Sequence, residues 1–228
     1  MAKIYIPSTG VDQWQRLLAD PEKHWRKGYS ARTLAYCWEE EANDFPSSVR
    51  AVLDNSGIES LQNLELLLAV PEHPVPLRGG ARPSQNDVWA LARGQNGLVS
   101  IAVEGKVSEP FGPTLEEWLQ DASPGKKDRL NHICEQLGLS DWPPSPIRYQ
   151  LLHRAASAVI EAQRFCASHA VMLVHSFSPQ GEWFEDYKDF LDVFGCTASP
   201  KTVSSAGTRA GVRLYFGWVQ GEDRFRDM

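Results

Sequence analysis

Asp87, Glu104 and Lys106 bring two carboxylates and an ammonium to the ends of two apolar runs, residues 88–92 and 98–103. Between the runs, Gly94-Gln95-Asn96-Gly97 has the residue types of a tight turn joining antiparallel strands. In such a hairpin the start of the first strand lies beside the end of the second, which puts Asp87 next to Glu104 and Lys106. Glu104 and Lys106 are two apart, and alternate residues of a strand share a face. Two carboxylates plus substrate phosphate are a common way to hold a hard cation such as Mg2+ or Mn2+. Lys106 would then position or polarise an attacking water, or neutralise charge developing on a phosphate.

The hairpin needs elements to cover it. Upstream, Ser30 is a suitable N-cap for a helix reaching about residue 41, with Leu34, Trp38 and Ala42 on one face. Glu39-Glu40-Glu41 sits on its last turn, where carboxylates oppose the helix dipole and are either solvated or functional. A second helix is expected over 46–55, then an apolar stretch over 61–70 that ends as a strand because Pro71, Pro74 and Pro76 follow. Downstream, Thr114 and Glu117 form a capping box, and a helix opening near Lys126 ends at Gly138. The longest helix spans about 147–168, with Leu151, Leu152, Ala155, Val159 and Ala162 on its apolar face and Gln150, Arg154 and Ser157 on an adjoining one.

A buried strand is expected over 170–177, an amphipathic helix over 183–194, a polar loop over 197–211, a last strand over 212–219 and a frayed tail over 222–228. The N-terminal 29 residues read as an extension: a short apolar piece, Ile4-Tyr5-Ile6, a helix over 11–18, and a basic aromatic run at 24–27 best read as a solvated helix end. Residues 108–146 read as a helical insertion. The whole is a single α/β domain over 1–228, a mixed central sheet flanked by helices with a C-terminal strand.

The 228 residues are 42% hydrophobic and 23% charged, as in an ordinary globular protein, with net charge −6. That charge argues against strong non-specific binding to nucleic acid, although a bound metal ion can supply local positive charge. Four scattered cysteines and the lack of a signal-like start point to reduced thiols in a cytoplasm. No run of 18 apolar residues is present, so no membrane span is expected. Phosphate-cradling glycine loops and a G-x-S-x-G elbow are absent, and the six histidines have no metal-ligand spacing. Oligomeric state is not legible.

Asp87, followed after a hairpin by Glu104-Gly105-Lys106, resembles the PD-(D/E)XK motif of restriction-endonuclease-like nucleases, with Asn86 where Pro is usual. The stretch 102–112 also resembles an uncharacterised bacterial family placed in that superfamily. The resemblance implies an αβββαβ core, Asp87 and Glu104 as ligands of Mg2+ or Mn2+, Lys106 beside the attacking water, and nucleic acid, DNA ahead of RNA, as substrate. It further implies an acidic metal ligand from the helix before the sheet, for which Glu39 is the candidate, and a Gln from the later long helix, for which Gln150 is. The Tyr of the fuller Q-x-x-x-Y pattern is replaced by Arg154. Metal-dependent phosphodiester hydrolysis is therefore the leading expectation. Two others stand beside it: a catalytically silent binding or regulatory protein, and an incidental surface ion pair between Glu104 and Lys106, worth under about 1 kcal/mol.

Overall fold

A six-stranded mixed sheet, in the order β1-β2-β3-β4-β6-β5, forms the middle layer of this computed structural model, which describes residues 10–228. The Ile4-Tyr5-Ile6 piece lies outside the described residues. The strands are β1 (Glu65–Val75), β2 (Ser84–Gly94), β3 (Gly97–Lys106), β4 (His169–Ser176), β5 (Val203–Arg209) and β6 (Val212–Gln220). β1, β2 and β3 are an antiparallel meander, β4 and β6 continue parallel to β3, and β5 closes the far edge antiparallel to β6.

Helices cover both faces. Helices α1 (Asp12–Gln15), α2 (Pro21–His24), α3 (Ser30–Glu40) and α4 (Ser47–Asp54) precede the sheet. Between β3 and β4 run α5 (Leu115–Leu119), α6 (Pro124–Leu137) and α7 (Tyr149–Arg164), and α8 (Phe184–Asp192) follows β4. The order α3-β1-β2-β3-α7-β4 is the expected αβββαβ succession.

Strand alternation divides the core in two. Val99, Ile101 and Val103 of β3 pack with Leu34 and Trp38 of α3 and Val49 and Leu53 of α4. On the opposite face Ala102 packs with Leu152, Ala155, Ala156 and Val159 of α7. The small side chains of Ala102 and of α7 let helix and sheet approach closely. Cys37, Cys134, Cys166 and Cys196 are all free thiols. No helix among the described residues is long and apolar enough to cross a membrane.

Several expectations are corrected. β1 does not stop at Pro71 but runs through Pro71 and Pro74, pairing them with Val88 and Gln85. As an edge strand it has only one neighbour, so a missing N–H is tolerated. The supposed loop over 197–211 contains β5, whose polar V-S-S-A-G-T-R sequence suits the exposed opposite edge. The first helix shrinks to four residues, and Pro21 starts α2 at a position where its missing N–H costs nothing. The C-terminal tail is anchored: Phe225 is buried and the Arg224 guanidinium pairs with Glu40 and Glu222.

His175, at the end of β4, is fully buried against α4, with Nε2 at 3.2 Å from Ser48 Oγ and the ring stacked on Phe177. It is a packed structural histidine, and burial pushes its pKa down to about 3. The folded state therefore keeps it neutral while the unfolded chain takes up a proton near the ordinary value of about 6.5. Its contribution is complete above that pH and is lost as pH falls toward the folded value, at up to about 1.4 kcal/mol per pH unit. Urea unfolding at pH 7, 6 and 5 should show a shallower acid loss for His175→Gln than for wild type; parallel losses would refute this.

Candidate active site

The two-residue turn Gln95-Asn96 sets the hairpin register, with Gly94 opposite Gly97 and Val88 opposite Val103. One step further places Asp87 beside Glu104, as the sequence led one to expect. Glu104 and Lys106 project from the face of β3 that carries α7, and both are buried, with side chains 2% and 5% exposed. They are therefore not a solvated surface pair. Lys106 Nζ donates to Glu104 Oε1 at 2.7 Å and to Gln150 Oε1 at 3.2 Å, and lies 5.0 Å from the centre of the Phe111 ring. Gln150, in the first turn of α7, donates from Nε2 to the same Glu104 oxygen at 2.7 Å. The short residue between Glu104 and Lys106 matters as well. Gly105 N–H donates to Asp87 Oδ2 at 2.8 Å, and a Cβ on Gly105 would stand 3.3 Å from that oxygen and 3.2 Å from Leu34 Cδ2.

Asp87, Glu104, Lys106 and Gln150 thus meet. Glu39 does not join them: its Oε1 accepts from Trp14 Nε1 at 2.7 Å, where the N-terminal segment packs on α3. The same helix reaches the site differently. Ser30 is not its N-cap, a position held by Tyr29; instead Ser30 N–H donates to Glu109 Oε1 at 2.7 Å, tying the start of α3 to the loop after β3. Two basic side chains outside the cluster are engaged elsewhere. Arg78 pairs with Asp128, and Lys126 Nζ donates to the Trp118 carbonyl.

Two residues complete the cluster that sequence reasoning had not assigned to it. Arg154, one helical turn after Gln150, donates from Nε to Glu104 Oε2 at 2.5 Å and from Nη1 to Ser84 Oγ at 3.0 Å, with Nη2 3.8 Å from Asp87 Oδ1. The i,i+4 spacing that places Gln150 and Arg154 on one face was visible in the sequence. Glu72 of β1 accepts from Gln85 Nε2 at 2.8 Å and has a left-handed backbone, φ +51°. A non-glycine residue held there inside a strand stores strain of a kind that clusters at functional sites.

The electrostatics follow from three carboxylates sharing two cations. Burial and the charge of Glu104 push Asp87 up to about 7, and burial and the charge of Asp87 push Glu72 up to about 8. Burial would raise Glu104 too, but Arg154 and Lys106 outweigh it and hold the carboxyl below its ordinary value. Burial and the charge of Arg154 keep His153, at 2.8 Å from Ser84 Oγ, neutral.

These groups line one cleft of about 440 Å³, whose walls also include His24, Tyr29, Phe111 and Tyr149. Among the described residues no three His, Cys, Asp or Glu side chains are grouped to hold a metal. Two hard-oxygen carboxylates side by side in a cleft are nevertheless a donor set that fits Mg2+ or Mn2+ when phosphate and water complete the shell. Asp87 and Glu104 are the residues that would hold the ion.

Comparisons with curated proteins and with solved structures return no match. A family model does match, over residues 7–223, nearly the whole chain. The chain belongs to the family described as Domain of unknown function (DUF6946).

Proposed function

We propose that this protein hydrolyses phosphodiester bonds in nucleic acid, using Asp87 and Glu104 to hold Mg2+ or Mn2+ and Lys106 to position the attacking water. The observation that carries this reading is the meeting of Asp87, Glu104, Lys106 and Gln150 in one cleft, each delivered by the element that the PD-(D/E)XK resemblance assigns to it. A divalent ion bound there supplies Lewis-acid polarisation of the phosphate and a lowered pKa for its water. The chain's own residues do the rest. Lys106 has three N–H donors, two of which are engaged by Glu104 and Gln150, leaving one for a water or a phosphate oxygen in the cleft. Gln150 fixes the ammonium and the carboxylate together, so the water is met by a preorganised group. His153, held neutral, adds no charge against the incoming ion.

One observation favours a second reading, a nuclease-like fold that binds but does not cleave. Both Glu104 oxygens are already engaged, Oε1 by Lys106 and Gln150 and Oε2 by Arg154. Calorimetric titration with Mn2+, paired with incubation of labelled single- and double-stranded DNA and RNA, separates the two. Hydrolysis expects metal binding that is lost in Glu104→Gln, together with cleavage of at least one of the four substrates. Binding of an oligonucleotide with neither metal uptake nor cleavage would establish the silent reading.

A further inference from the structure

The guanidinium of Arg154 has an unusual position for an arginine on a buried helix face. Its side chain is 7% exposed, and it stands between the carboxylates of Glu104, at 2.5 Å, and Asp87, at 3.8 Å. The distances are unequal: Glu104 is held by a charge-assisted hydrogen bond, whereas Asp87 is reached only by Coulomb attraction. Ser84 Oγ, itself 2.8 Å from His153 Nδ1, accepts from Nη1 and fixes the plane of the group from behind. Glu72, when ionised, adds a weaker third pull on it, after Glu104 and Asp87. Arg154 thus neutralises the same oxygens that a divalent ion would take, and an ion seated on Glu104 Oε2 would face the guanidinium charge that already holds that oxygen at 2.5 Å.

We infer that Arg154 is the resident cation of this site, a positioning residue whose guanidinium occupies the place between Glu104 and Asp87 and is displaced from Glu104 when a divalent ion binds. This rests on the reading of Asp87 and Glu104 as ligands. The consequence is competition. The apo fold is protected from carboxylate repulsion by an internal charge, and metal affinity is set below what the two carboxylates alone would give. A guanidinium suits this task because it stays charged at any working pH, and its planar fork keeps a hold on Ser84 when one contact is given up.

The test compares wild type with Arg154→Gln by Mn2+ calorimetry and by the rise in Tm with Mn2+. Arg154→Gln should bind Mn2+ tighter by about tenfold or more, in the ordinary range for coupling between two sites, and should gain more Tm from the ion than wild type. Because this variant strips a buried carboxylate of a partner and with it some stability, a second measurement reads the ion's effect on the wild-type protein. In 15N-arginine-labelled protein, the Arg154 Nε–H resonance, assigned by its absence from Arg154→Lys, should move when Mg2+ saturates the site. Equal or weaker Mn2+ affinity in a folded Arg154→Gln, or an Nε–H resonance unmoved at saturating Mg2+, overturns the inference and leaves the metal site standing. No binding by either protein overturns both.

Discussion

Glu104→Ala is expected to destabilise the fold by about 3–5 kcal/mol, the usual cost of removing one partner from a buried ion pair. The reason lies in what stays behind. Lys106 and Arg154, with side chains 5% and 7% exposed, would both keep their charge in a space emptied of its counter-ion, and Gln150 would lose its acceptor. Asp87→Ala is expected to cost far less, on the order of 1 kcal/mol. Its carboxylate accepts one backbone N–H and lies 3.8 Å from Arg154, and burial already disfavours its charge. Urea unfolding of the two variants at pH 7 measures the difference. Losses within about 1 kcal/mol of each other would show that Glu104 is not the hub of the cluster. The contrast also decides how the site must be probed. A dead Glu104→Ala protein reports on folding, and Glu104→Gln, which keeps the shape and one acceptor, is the variant that reports on charge.

The hub was legible in the sequence because it depends on short-range rules. A two-residue turn fixes the hairpin register, and register plus strand alternation puts Asp87, Glu104 and Lys106 on one face without knowledge of any other element. Gln150 and Arg154 follow from helical spacing, once α7 is known to lie on that face. Glu72 was not legible, because Pro71 and Pro74 read as a stop until the strand that contains them is known to be an edge. The polar strand β5 was hidden for the same reason at the other edge. Glu39 was placed by a resemblance and by its helix, but the rotation of α3 turns it toward Trp14. Which way a helix rotates depends on the segment packed against its outer side, and that segment's short helices are weakly specified by their own sequence.

Net charge bears on how this chain would meet a nucleic-acid substrate. A chain with net charge −6 cannot rely on a broad basic surface to gather phosphates. Within the cleft, burial and mutual repulsion raise Asp87 to about 7 and Glu72 to about 8, so near neutral pH only Glu104 is fully ionised beside the two buried cations, and an ion taken up by Asp87 competes with its proton.

Lys106→Met is the substitution with the largest expected effect on chemistry: cleavage should fall by about 10²–10⁴-fold, the range for losing a positioned acid–base or electrostatic group. Metal binding should survive. Glu104 keeps Arg154 and Gln150 as partners when the ammonium is removed, and neither Asp87 contact involves Lys106. Methionine fills the volume over the Phe111 ring, so the apolar side of the contact is preserved. Lys106→Arg should not restore the rate, because a planar guanidinium cannot take the place of a compact ammonium 2.7 Å from Glu104 and 3.2 Å from Gln150 without moving one of them. Single-turnover cleavage and Mn2+ calorimetry on the same preparations separate the two roles. A rate near wild type in a folded Lys106→Met would remove Lys106 from the mechanism. Equal loss of rate and of metal binding would make it a support for Glu104, with the water positioned by some other group of the cleft.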